Sequence, residues 1–152
     1  MSRHDSKTIE TLHDLIQINK DSERGYKEAS EKVEDPELKT ILYRLAQQRA
    51  LFRGEIEEDL RKDFKDAAEV SDSLTSKLHR GWMDFKTMLR GDDTKAVLEE
   101  CERGEEHAIE EYSKALNGSL PNYIEERVSK QLDLIKGALS QVREFKSSKN
   151  YA

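Results

Sequence analysis

Residues 19–56 read NKDSERGYKEASEKVEDPELKTILYRLAQQRALFRGEI. At their centre Glu34-Asp35-Pro36 is a turn: Asp35 is a natural N-cap, and Pro36 suits the first helical position, where no helical bond needs its missing N–H. Before the turn, Asn19, Glu23 and Tyr26 continue a stripe begun by Ile9, Leu12 and Ile16. After it, Leu38, Ile41, Leu45, Gln48, Phe52 and Ile56 form a second. Steps of three and four residues put each set on one helix face. The stretch is therefore a helical hairpin, with helices expected at 7–33 and 37–63.

The same pattern recurs downstream. Leu98, Cys101, Glu105, Ala108, Tyr112 and Ala115 mark a helix over 93–117, which Asn117-Gly118 stops. Ser119-Leu120-Pro121 opens a helix over 121–146, striped by Ile124, Val128, Gln131, Ile135, Ala138, Val142 and Phe145. The piece between the hairpins is too long for a bare loop, and Leu74, Leu78, Trp82, Phe85 and Leu89 share one helical face. A fifth helix is expected at 73–90, ended by Gly91, with Asp92 and Asp93 capping the next. The expected fold is all-α: one domain over 1–152, a four-helix bundle of two antiparallel hairpins with an extra helix in the long crossover.

Composition agrees. Charged residues make up 38% of the 152, against about 25% in ordinary domains, and there are only seven glycines and two prolines, as long solvated helices require. No apolar run exceeds three residues, which excludes a membrane-spanning helix or the core of a signal peptide and points to the cytoplasm. A net charge of -6 without basic blocks argues against nucleic acid and anionic membrane as partners. The single cysteine, Cys101, has no internal disulfide partner.

Every stripe has a polar break near its middle. Glu23 lies 12 residues before Asp35 and Gln48 lies 13 after it, so the two should face each other across the first hairpin. Glu105 and Gln131 repeat the arrangement across the second, which reads as a degenerate internal repeat meeting in one mid-bundle layer. Asn19, Tyr26 and Tyr112 stand close to it. A di-metal bundle needs one Glu from each of two helices and Glu-x-x-His from each of the other two, converging on cations about 4 Å apart. Glu23 and Glu105 supply the single carboxylates. The paired motifs read Gln48-x-x-Leu51 and Gln131-x-x-Leu134, which removes two anionic ligands and both imidazoles. Arg49, beside Gln48, can swing into the layer and neutralise one acid.

Five strings carry a resemblance over nearly the whole chain: Ser22-Glu23-Arg24-Gly25-Tyr26, Asp35-Pro36-Glu37-Leu38, Gln48-Arg49-Ala50-x-Phe52, His79-Arg80-Gly81-Trp82-Met83-Asp84 and Glu100-Cys101-Glu102-Arg103-Gly104-Glu105. The chain resembles the ferritin-like superfamily and, more closely, an uncharacterised bacterial family of ferritin-like four-helix-bundle proteins. That resemblance implies the fold and brings no established reaction. From the wider superfamily, iron oxidation would carry over only to Glu23 and Glu105.

His13 and His107 fall off the stripes and read as solvated; Cys101 reads as a small buried residue. No phosphate loop, serine elbow or Cys-x-x-Cys is present. Leu78, Trp82 and Phe85 either pack across the crossover or form a patch for a protein partner or a second copy. The functional expectation is a non-enzymatic cytoplasmic scaffold, interaction or stress-associated protein with a degenerate di-metal site and no cofactor. The alternative is an iron- or manganese-binding protein of metal handling or oxidative stress, using Glu23 and Glu105.

Overall fold

The computed structural model describes residues 3–65, 82, 85 and 93–149, apart from the side chain of His4. Four helices account for most of them: α1 (Arg3–Lys32), α2 (Pro36–Asp63), α3 (Thr94–Asn117) and α4 (Asn122–Ser148). Asp35 caps α2 as its sequence requires, accepting from the backbone N–H groups of Glu37 at 2.9 Å and Leu38 at 3.1 Å. Such a cap contributes about 1 kcal/mol. Asp93 caps α3 by accepting from the Ala96 N–H at 3.3 Å. Gly118 ends α3 in an extended conformation, with φ at -86°, so the stop uses none of glycine's left-handed freedom.

The hairpins pair α1 with α2 and α3 with α4, α1 packs on α3, and α2 meets α4 more lightly. Ion pairs tie these seams from outside: Arg53 to Glu23 between α1 and α2, Arg127 to Asp59 between α2 and α4, and Arg143 and Lys146 to Glu102 between α3 and α4. Among the described residues no helix is long and apolar enough to cross a membrane.

The core falls into two apolar clusters. One gathers Leu12, Leu15, Ile16, Phe52, Ile56, Leu60, Ile124, Val128 and Ile135 at the end where α1 begins. The other gathers Leu38, Leu42, Leu45, Leu98, Val142 and Phe145 toward the α1–α2 turn, with Trp82 and Phe85 among them. Of the helix expected over 73–90 only Trp82 and Phe85 are among the described residues; the rest, including Leu74, Leu78 and Leu89, lies outside them. Both aromatics are buried in the chain's own core, at 5% and 0% exposure, so neither is offered to a partner.

Candidate functional site

Arg49, Glu105, Tyr26 and Tyr112 are each fully buried where the two clusters meet. Arg49 enters because the buried face of α2 runs through Leu42, Leu45, Arg49, Phe52 and Ile56, one residue round from the position expected for Gln48. Its Nη1 donates to Glu105 Oε1 at 2.5 Å and its Nη2 to Glu105 Oε2 at 2.6 Å. This two-pronged pairing suits a planar guanidinium and a carboxylate. The Tyr26 hydroxyl donates to the same Oε2, and the Arg49 guanidinium lies 5.4 Å from the Tyr26 ring centre. Burial alone would lower the Arg49 guanidinium, but the carboxylate beside it more than reverses this and the net shift is upward. Burial, reinforced by Glu105, pushes the Tyr26 phenol well above its usual value.

A second network adjoins this one. Asn19 Nδ2 donates to the Leu15 carbonyl at 2.8 Å and to the Tyr112 hydroxyl at 2.7 Å. Tyr112 in turn donates to Gln131 Oε1 at 2.7 Å. Gln131 Nε2 passes the chain outward to Glu55 at 2.9 Å and to the Phe52 carbonyl at 3.2 Å. Burial raises the Tyr112 phenol, against the opposing hydrogen bond from Asn19. Four helices are thus joined through polar groups that would be costly to leave unpaired.

Asn19, Tyr26, Glu105, Tyr112 and Gln131 therefore meet as the sequence implies. Glu23 and Gln48 do not join them. The Glu23 side chain is one-third exposed and pairs with Arg53 at 2.7 Å, while Gln48 is half-buried and accepts from Arg49 Nε at 3.1 Å. The rest of the expected α1 face is buried, but Ser22 and Gly25 take the inward places beside Asn19 and Tyr26, which leaves Glu23 at the edge, and on α2 Arg49 takes the inward place beside Gln48. His13 and His107 are half-buried rather than solvated.

Two glycines complete the site, and sequence reasoning passed them over. The Trp82 indole lies against Gly25 of α1 and Gly104 of α3 so closely that a Cβ on either would stand 2.3 Å from it. The signal was present: Glu23-Arg24-Gly25 recurs as Glu102-Arg103-Gly104, 79 positions on. In that register Ser22 matches Cys101, Ala29 matches Ala108, and all four are buried. The counterpart of Glu23 is therefore Glu102, and Glu105 is the counterpart of Tyr26. Residues related in this way that also bond to each other straddle an approximate two-fold axis between the hairpins.

As a metal centre the donor set is a poor fit. Both oxygens of Glu105 are taken by Arg49, the guanidinium brings positive charge to the middle of the bundle, and the other single carboxylate, Glu23, is at the edge. On α1, Asn19 Oδ1 and Ser22 Oγ are buried without a hydrogen-bond partner, and both are neutral oxygens. Among the described residues no three His, Cys, Asp or Glu side chains converge on a common point.

A family model described as a domain of unknown function (DUF2383) matches residues 7–118. Among solved structures, a Thermotoga maritima protein provisionally assigned as a ferritin-like diiron-carboxylate protein superposes with a TM-score of 0.73 at 21% identity, over 93% of this chain and 95% of that one. The likeness is one of fold. No curated protein matches the chain.

Proposed function

The chain belongs to the DUF2383 family, and from that membership and its ferritin-like fold we propose a non-enzymatic bundle in which an internal ion pair takes the mid-bundle place that di-metal carboxylate bundles give to metal. Its role is that of a cytoplasmic scaffold, interaction or stress-associated protein. The observation that supports this reading is the fully buried Arg49, with both terminal nitrogens on the two oxygens of Glu105. A guanidinium is a fixed cation that neither exchanges nor changes oxidation state, so it balances the core carboxylate without supplying Lewis-acid or redox chemistry. It also links α2 to α3, the diagonal pair of the bundle, and so fixes how the hairpins are set against each other.

Metal analysis tests it. The full chain, purified without chelator and then exposed to iron(II) or manganese(II) under exclusion of air, should retain less than one equivalent after desalting. Retention of two equivalents, lost in both Glu23→Ala and Glu105→Ala, would overturn the proposal in favour of a metal-binding role. That alternative requires Glu23 to leave Arg53 and Glu105 to leave Arg49.

A further inference from the structure

The Tyr26 phenol, the Glu105 carboxylate and the Trp82 indole meet at one point, and a purely structural reading uses none of their redox chemistry. The Tyr26 and Trp82 rings are edge-to-face with centroids 4.9 Å apart and planes at 64°. Trp82 is the only tryptophan of the chain and keeps 5% of its surface exposed, whereas Tyr26 keeps none. Of the two stacked residues, Trp82 therefore lies nearer the surface and Tyr26 deeper. From these contacts we propose that Trp82 and Tyr26 form a one-electron relay: an oxygen-centred radical that oxidises the Trp82 indole leaves its oxidising equivalent on Tyr26.

The step balances. The radical takes one electron from the indole and is itself reduced. One electron then passes from Tyr26 to the indole radical cation through ring contact, restoring Trp82. The phenolic proton moves along the existing hydrogen bond to Glu105 Oε2. The products are a neutral phenoxyl radical and a protonated carboxyl, and the single positive charge remains in the layer on Arg49. A phenol radical cation is a far stronger acid than any carboxylic acid, so this transfer runs downhill even with the guanidinium alongside. Tyr112 has no such exit, because its hydroxyl donates to the neutral amide oxygen of Gln131, which cannot hold a proton. The oxidising equivalent therefore settles on Tyr26.

Pulse radiolysis with azide radical, which oxidises tryptophan in preference to tyrosine, tests the relay. The full chain is used with Tyr43, Tyr123 and Tyr151 changed to Phe, leaving Tyr26 and Tyr112 as the only phenols. The indolyl absorption should decay as phenoxyl absorption rises, at a rate independent of protein concentration and slower in heavy water. Tyr26→Phe, which keeps the Arg49–Glu105 pair, should abolish the transfer, and Tyr112→Phe should not. Transfer that survives Tyr26→Phe, an indolyl signal that decays without phenoxyl growth, or a rate unchanged in heavy water would each overturn the relay, the last two without recourse to that variant.

Discussion

Removing the Arg49 side chain leaves the Glu105 carboxylate buried with only the Tyr26 hydroxyl to satisfy it. Arg49→Ala should therefore cost about 3–5 kcal/mol of unfolding free energy, whereas replacing both partners by apolar groups, as in Arg49→Met with Glu105→Leu, should be nearly neutral. Urea unfolding of the two variants checks this; an Arg49→Ala chain as stable as its parent would contradict the burial described. Glu105 was legible in sequence because Cys101, Ala108 and Tyr112 fix the buried face of α3 without ambiguity. Gln48 and Arg49 are adjacent and both polar, and the 100° between them is narrower than the apolar face of a core helix, so periodicity alone accepts either. Choosing between them requires the electrostatic argument that a dry carboxylate calls for a cation.

Among the described residues four glycines lie inside helices, in two opposite settings. At Gly25 and Gly104 an added Cβ would stand 2.3 Å from Trp82, while at Gly54 and Gly137 it would meet nothing within 4 Å. Ala at either of the first two should destabilise by about 1–3 kcal/mol through overpacking, despite the gain in helix propensity. Ala at either of the second two should stabilise by up to about 1 kcal/mol. Thermal unfolding of the four single variants separates the settings, and a stabilising Gly104→Ala would mean that the indole moves aside at little cost. The four described helices were legible to within a few residues, since caps and stripes are local. Close approach to Trp82 is not local, and only the duplicated Glu-Arg-Gly hinted at it.

Across the molecule, titration pulls stability down at both ends of the pH range. Tyr26, Tyr112 and Cys101 are all raised, chiefly by burial. The unfolded chain releases these protons near the ordinary values of about 8.5 for a thiol and 10 for a phenol, while the folded chain keeps them. The unfolded state then holds fewer protons, so stability is whole below those values and falls as pH rises through them. Glu102 runs the other way. Burial would raise it, but its hydrogen bonds to Lys146 and Arg143 outweigh that and lower it. Its share of stability is present above the ordinary carboxylate value and is lost as pH falls through the folded one. The urea midpoint should therefore show a plateau near neutrality with an alkaline decline that Tyr26→Phe makes shallower; a midpoint flat well above the phenol value would refute the burial of the three groups.

The approximate two-fold has a consequence for how such a chain diverges. Two identical hairpins meeting across an axis must present the same side chain to each other there: two phenols, or two carboxylates whose repulsion calls for a cation between them. Joined in one polypeptide, the copies are free to differ, and here Tyr26 meets Glu105 as donor to acceptor. The asymmetry between halves, rather than their likeness, makes the centre of the bundle self-sufficient.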